Sequence, residues 1–409
     1  METSRRKTPA AVFLVLMTPF GVSAGYVSVT LAFLLAKAGM PTAAIAAVVS
    51  FSIWPQTWKV FWAPLVDTTL GAKTWYAVGA GLTALSILAL SATPATLKNA
   101  PFLTVLVVVS SLATTLVCMS SELLMAYGIE DERKGAVSGW SQAGNLGGSG
   151  IGGGFGLYVA QHVDLPWVSG AALALLCSAC CAGLWFVNEP EGHARRRRYV
   201  DSFKDLIQDV WSVARSRPGL LVLLLMLLPV GSGGASGLWA AIASEWRAGA
   251  NTVALVNGVL GGVASLGGAV AAGYLCDRMD RRLAYGLFGL ALAAVAVAMA
   301  LSPRTSLVFI VSTLAYAAVL GACYAGYAAA VLEAIGKGAA ATKFNLLASV
   351  ANIPIAFMTA TDGQLHDRYG SNGMLFGEAG FAVLALIGFA IFVRATRERP
   401  IPIAQQASI

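Results

Sequence analysis

Charge is what this sequence has least of. Of its 409 residues, 27 are basic and 20 acidic, so only 11% are charged, against about a quarter in a soluble globular domain. Histidine is nearly absent: His162, His193 and His366 stand far apart. The six cysteines, Cys118, Cys177, Cys180, Cys181, Cys276 and Cys323, lie in or beside apolar segments. Cys177, Cys180 and Cys181 have metal-like spacing, but no histidine or acid is near, and they read as small apolar fillers. These shortages exclude a disulfide scaffold, a disordered chain and an ordinary cytosolic enzyme. What is present is hydrophobic sequence, 57% of the chain, spread from Ala10 to Arg394 in recurring runs, together with 44 glycines. The composition predicts an all-α membrane protein crossing the bilayer many times.

A helix needs roughly 20 apolar residues to cross. Twelve segments qualify: about 10–36, 42–63, 74–93, 102–127, 135–160 and 166–187, then 218–245, 251–275, 283–301, 306–332, 341–361 and 372–394. The basic N-terminus with Arg5, Arg6 and Lys7 resembles a signal peptide, but its apolar run reaches Leu35 and reads as the first span. Basic residues test the topology. Both termini and the even-numbered loops carry 22 of the 27, from Arg5 to Arg399, and the odd loops carry Lys37, Lys98, Arg247, Arg304 and Arg368. Twelve spans with both termini in the cytoplasm of a bacterial-style inner membrane give that split. The net charge of +7 therefore reports topology, and no nucleic-acid partner is expected. The longest loop, 188–217, has Arg195 to Arg198 followed by Val200, Phe203, Leu206, Ile207, Val210 and Trp211 at helical spacing. That pattern predicts an amphipathic helix on the membrane surface.

The chain also repeats itself. An offset of 210 residues places Pro19 and Gly21 on Pro229 and Gly231, Asp67 on Asp277, Gln142 on Asn352 and Ser149 on Thr359. Two pseudo-symmetric six-helix bundles follow, residues 1–187 and 218–409, joined by 188–217. Parallel repeats of this kind hold a substrate between the halves near the midplane.

Candidate working residues are those that lipid penalises. Glu122 and Lys59 lie at similar depth in spans four and two and would satisfy each other as a pair that proton binding at Glu122 would release; a static structural pair, or a glutamate already reaching water, is the alternative. Glu378, about two turns into span twelve, is a second proton-binding candidate. Asp362 lies nearer the surface and reads as interfacial. Ser138, Gln142, Asn145 and Ser149 share one face of span five, and Asn345, Ser349, Asn352 and Thr359 repeat the pattern in span eleven. Such stripes line a polar cavity or join helices; their presence in both halves favours a cavity. Tyr26, Trp54, Trp58 and Trp239 would stack on a ring or mark the lipid interface. Gly144 to Gly156 leave one side of span five nearly bare, predicting close helix packing across the halves. Gly148-x-Gly150-x-x-Gly153 matches a dinucleotide fingerprint without a preceding strand. Gly21-x-Ser23-x-Gly25 matches a nucleophile elbow but lies inside a helix. No enzyme activity, cofactor or metal is expected.

Gly273-Tyr-Leu-Cys-Asp277-Arg278-Met-Asp280-Arg281-Arg282 resembles the major facilitator signature Gly-x-x-x-Asp-Arg-x-Gly-Arg-Arg, with Asp280 at its second glycine. The resemblance implies the facilitator fold, transport by alternating access, and a conformational gate at Asp67, Gly273, Asp277, Arg278, Arg281 and Arg282. Pro55-Gln-Thr-Trp58-Lys59-Val-Phe-Trp62-Ala-Pro64-Leu-Val-Asp67 is similar to the second-span end of AmpG-like muropeptide permeases, whose relatives are thought to move acyl-coenzyme A or siderophores. The 135–156 stretch and Asp362-Gly-Gln-Leu-His366-Asp367-Arg368-Tyr-Gly also resemble that group. Ser120, Ser121 and Met125 stand where the group carries Gln-Asp and a second Asp before Ala126-Tyr127, and Glu122 is the acid within the span. Gly144 to Gly153 resembles the facilitator antiporter motif, with Ser149 at its proline. The resemblance implies a monomer that takes up a small-molecule substrate with protons. Export by proton antiport, or a non-transporting sensor or scaffold, are the alternatives.

Overall fold

In lipid a backbone can satisfy its own polar groups only as a helix or a closed barrel, and this chain takes the first course. A computed structural model describes residues 8–128, 134–188, 215–276, 278–335 and 340–395, with 204, 207, 208 and 211. The helices are α1 (Val12–Lys37), α2 (Thr42–Thr68), α3 (Ala72–Ala92), α4 (Ala100–Gly128), α5 (134–162) and α6 (Trp167–Phe186). The second half comprises α7 (Arg217–Leu227 and 234–246), α8 (Ala250–Cys276), α9 (Arg281–Leu301), α10 (Ser306–Ile335), α11 (340–369) and α12 (371–395). These are the twelve predicted spans in two pseudo-symmetric six-helix bundles. Most of the predicted surface helix at 200–211 lies outside the described residues; Ile207 and Trp211 within it are exposed, and Arg215 stacks 4.6 Å from the Trp211 ring centre.

Local chemistry sets the boundaries. Ser216 Oγ accepts the Gly219 N–H at 3.1 Å to start α7, and Asp280 caps α9 by accepting the Leu283 N–H at 2.9 Å. That capping role accounts for an aspartate where the signature has glycine. Between α11 and α12 the backbone turns at Gly370, whose φ of +68° suits a residue without a Cβ.

The predicted continuous span at 218–245 is the main departure. The helix stops after Leu227, runs irregularly through Pro229, Gly231 and Gly233, and resumes at Gly234. Pro229 has no N–H to continue the ladder, and Gly231 and Gly233 take φ of +64° and +69°. The freed carbonyls find side chains: Tyr285 donates to Val230, Ser236 to Gly233 at 2.6 Å and Thr359 to Gly234 at 3.2 Å. Pro19 and Gly21, their repeat partners, lie within a continuous helix.

Span five uses its glycines on two sides. Cβ atoms added at Gly144, Gly148 and Gly152 would stand 2.2, 2.4 and 2.0 Å from carbonyl oxygens of Leu14, Thr18 and Val22. That row therefore packs on α1 of the same half. Only Gly150 and Gly154 reach across to the other half, against Ala254 and Gly258 of α8, which narrows the expectation of cross-half packing to these two. The repeat-related crossing is α2 on α11, where Ser50 donates to the Ala356 carbonyl at 2.7 Å and a Cβ on Gly363 would stand 2.2 Å from that of Ala46. Single π turns mark α1, α5 and α8 at Tyr26–Leu31, Ile151–Phe155 and Ala254–Leu260. Thr30 donates to the carbonyls of Gly152 and Gly153 at 2.9 and 3.0 Å, meeting groups the α5 π turn loosens.

These crossings share one location. Call the end bearing the α1–α2, α5–α6 and α11–α12 connections the far end, and its opposite the terminus end. The inter-half contacts named above lie toward the far end, and among those made by glycines of the described residues the one nearest the terminus end is Gly262 beside Leu146, mid-helix in both. One apolar core joins the halves there, including Tyr26, Ile45, Leu238 and Trp246. A second core at the terminus end, with Phe13, Tyr76, Val117 and Leu184, belongs to the first half alone.

Candidate functional site

The α2–α4 seam is polar at every turn. Ser111 donates to the Ser52 carbonyl, Gln56 to Thr114 at 3.3 Å and Trp62 to Thr115 at 3.1 Å. At its terminus-end side Lys59 Nζ lies 3.6 Å from Glu122 Oε1, with 10% and 28% of the two side chains exposed. The expected pair is therefore formed. Cys118 sits within it, its Sγ 3.7 Å from Nζ and 3.3 Å from Oε1, a bridging thiol that the sequence analysis did not assign. Trp54, Trp58 and Phe61 stack along the outside of α2, with ring centres 6.5 and 5.7 Å apart.

The polar stripes are unequal. In α5, Gln142 is exposed, Asn145 and Ser149 are half-buried, and Asn145 Nδ2 lies 3.5 Å from Gln142 Oε1. In α11, Asn352 donates at 2.9 Å to the Ala348 carbonyl of its own helix, and Ser349 is buried. The side chains of Ser138 and Asn345 lie outside the described residues. Tyr26 and Trp239 are both buried, Tyr26 against Gly156 and Trp239 edge-on to Tyr316 at 5.1 Å. Both are thereby placed away from lipid.

Beside the α7 break lie two acids. Glu378 is 5% exposed and Asp362 fully buried, so the interfacial reading of Asp362 is corrected. Distance along the helix put Asp362 near the surface, but packing against Gly234 and the first half encloses it. Glu378 Oε1 accepts from the Tyr316 hydroxyl and, at 3.4 Å, from the Ala235 N–H.

A polar cluster closes the far end. Glu245 receives Arg304 Nη1 at 3.1 Å, His366 Nε2 at 2.5 Å and the Ser371 hydroxyl. Arg304 also donates to Asn372 at 2.6 Å and lies 4.0 Å over the Trp246 ring. The neighbouring Asp367 crosses to the first half and accepts the Ala43 N–H at 3.0 Å, where the N-terminal dipole of α2 favours a carboxylate. Asp367→Ala should therefore speed amide exchange at Ala43 and leave α4 unchanged in hydrogen-exchange mass spectrometry. Unchanged Ala43 protection would remove this residue from the closure.

Residues 10–359 match the family model described as Major Facilitator Superfamily. The chain belongs to that superfamily. Among curated proteins, none matches it in sequence. Its fold is similar to the solved D-xylose-proton symporter (TM-score 0.67, 14% identity, covering 92% of this chain and 96% of that one). It is likewise similar to nucleoside transporter NupG (0.69, 12%, 95% and 99%) and to a POT family transporter solved with a thioalcohol-conjugated peptide (0.68, 10%, 95% and 96%). The facilitator signature occupies the α8–α9 turn. Arg281 Nε lies 3.7 Å from Glu333 at the end of α10, and Arg282 lies 3.8 Å from Asp280. Arg278 is exposed, and Gly273 has open space where a Cβ would stand. Asp277 and the side chain of Asp67 lie outside the described residues.

Proposed function

We propose that this facilitator is a secondary active transporter working by alternating access, driving uptake of a bulky polar solute with protons across a bacterial-style inner membrane. The observation that carries this reading is that the half-to-half contacts found among the described residues gather toward the far end. A transporter of this mechanism has one end closed while the other parts, and the repeat-related crossings α5–α8 and α2–α11 supply the closure. With both termini cytoplasmic, as the basic residues argue, the far end is external and the chain stands with its outer side closed. It works as a monomer, the two halves of residues 1–187 and 218–409 moving about the 188–217 connection.

Proton coupling is assigned to Glu122 with Lys59 and, in the second half, to Glu378. An intramembrane acid costs roughly 2.5–3.5 kcal/mol at the centre on insertion scales, a cost that points to function. A proton moving down 100 mV supplies roughly 2.3 kcal/mol. The amides and hydroxyls of Gln142, Asn145, Ser149, Asn345, Ser349 and Asn352 are assigned to the substrate, with Tyr26 and Trp239 supporting that wall. The AmpG-like segment in α2 points to an anhydromuropeptide, a siderophore or an acyl-coenzyme A compound. The signature turn of Gly273, Asp277, Arg278, Arg281 and Arg282, with Asp67 in the first half, biases which end is closed.

Proteoliposomes under an imposed pH gradient test this reading with labelled anhydromuropeptide, a ferric siderophore and a coenzyme A ester in parallel. Gradient-dependent uptake of one of them, lost in Glu122→Gln, is expected. Gradient-independent flux, or flux in the opposite direction, would refute proton-driven uptake. Leucine at both Gln142 and Asn352 should abolish binding of the transported solute; unchanged binding would remove these residues from the cavity.

A further inference from the structure

We propose that Asp362 and Glu378 form a proton-binding dyad at the break in α7, and that its proton holds the far end closed. The site is built from four helices, α7, α10, α11 and α12. Both carboxyls converge on Gly234 and Ala235, the first residues after the break: Glu378 Oε1 receives the Ala235 N–H, and a Cβ on Gly234 would stand 2.8 Å from Asp362 Oδ2. The two acids differ in their partners. Glu378 takes hydrogen bonds from Tyr316 and Ala235 through one oxygen, an arrangement suited to an anion. Asp362 is fully buried, and neither of its oxygens has a hydrogen-bond partner. Glu378 Oε2 is also unpartnered.

No cation offsets this pair: among the described residues neither acid makes a salt bridge. The titratable groups beside it are Tyr316 and Cys323, both from α10 and both neutral in their protonated forms. The α2 side presents Ala43 and Ala46 to Gly363. Two adjacent buried carboxylates without a cation are prohibitively costly, so one proton resides on the pair, with Asp362 as the donor-poor member. A small cavity beside the unwound backbone of α7, lined by Pro229, Gly231, Ser232, Gly289, Leu292 and Ala293, also includes Glu378.

The link to closure is one of position. Gly363, next in sequence to Asp362, is the residue packed on Ala46 of the first half, and Thr359, one turn earlier, lies against Gly237 beside Val49. Removing the proton leaves two negative charges immediately behind the α2–α11 crossing. Hydrating them requires water where the halves now touch, which favours the conformer open at the far end. Sequence position alone hid this site, because Asp362 is buried by the α7 break and not by its own helix.

The dyad can be tested without any substrate, so its failure is separable from that of the transport reading. Infrared difference spectra of the full chain in lipid, from acid to alkaline pH, should show loss of a buried protonated-carboxyl band. That band should be absent in Asp362→Asn and shifted in Tyr316→Phe and in Gly234→Ala. The two latter variants serve if Asp362→Asn does not fold, and an unshifted band in both would overturn the proposal. An unchanged band in Asp362→Asn would also overturn it. Asp362→Asn, neutral at every pH, should keep the Ala43 to Ala46 amides protected at alkaline pH, where the unaltered chain loses protection. Loss of that protection in both would detach the dyad from closure. A sodium-dependent spectral change at fixed pH, lost in Asp362→Asn, would replace the proton with a metal cation.

Discussion

Protein carrying Gly258→Leu is expected to fold and insert but to lose transport roughly 10- to 100-fold. The first atom of the new side chain would stand 2.8 Å from Gly154 Cα and 3.0 Å from Gly154 N. Those atoms are backbone of the opposite half and cannot turn aside as a side chain could. Overpacking of this kind costs about 1–3 kcal/mol. The clash exists only where the halves meet, so its cost falls on the closed conformer and leaves the open one untouched. Gly267 supplies the control: it lies on the same helix, and a Cβ there would have nothing within 4 Å. Gly267→Leu should transport normally. Equal loss in both variants would mean that α8 is sensitive to bulk in general and that the α5–α8 crossing is not the moving contact.

The second large effect is expected at the α2–α4 pair. Lys59→Met takes from Glu122 the ammonium that stands 3.6 Å from it, in a seam where Lys59 itself is only 8% exposed. Removing one partner of a buried pair costs about 3–5 kcal/mol. Glu122 keeps 28% of its side-chain exposure, so the lower end of that range applies. Adding Glu122→Gln should restore much of the stability, because no uncompensated charge remains, yet gradient-driven uptake should stay absent. Thermal unfolding and flux measured on the two single variants and the double variant separate these effects. Recovery of both stability and uptake in the double variant would make the pair a structural joint and remove it from coupling.

Much of the architecture was legible because lipid imposes length and polarity rules on each span separately. The twelve helices coincide with the apolar runs, and Lys59 and Glu122 were matched by depth alone. The α7 break was not foreseen: 218–245 read as one continuous span, although Pro229, Gly231 and Gly233 lie at the break, while Pro19 and Gly21 at the matching positions sit in an unbroken helix. What separates the two sites is tertiary: Tyr285, Ser236 and Thr359 are placed to take the freed carbonyls. Asp362 shows the same limit. Its distance from the end of the helix suggested water, but burial is decided by α7 and α2, which no local pattern in α11 encodes. The glycines of α5 were recognised as a packing surface; which of them face α1 and which face α8 depends on the crossing angle of three helices. Asn352 was read as lining a cavity; here its amide bonds back to the Ala348 carbonyl of its own helix.

Interconversion between a conformer closed at the far end and one closed at the terminus end is the central claim. Paired spin-label distances test it most directly, in chain whose six cysteines have been replaced. One pair joins Gln161 to Asn251 across the far end, and another joins Lys73 to Arg282 across the terminus end. In lipid, from acid to alkaline pH, the account predicts that the far-end distance lengthens as the terminus-end distance shortens, with two populations exchanging at both ends. A single unchanging distance at each end across that range, in protein shown to be folded, would contradict alternating access and favour a sensor or scaffold on the same fold.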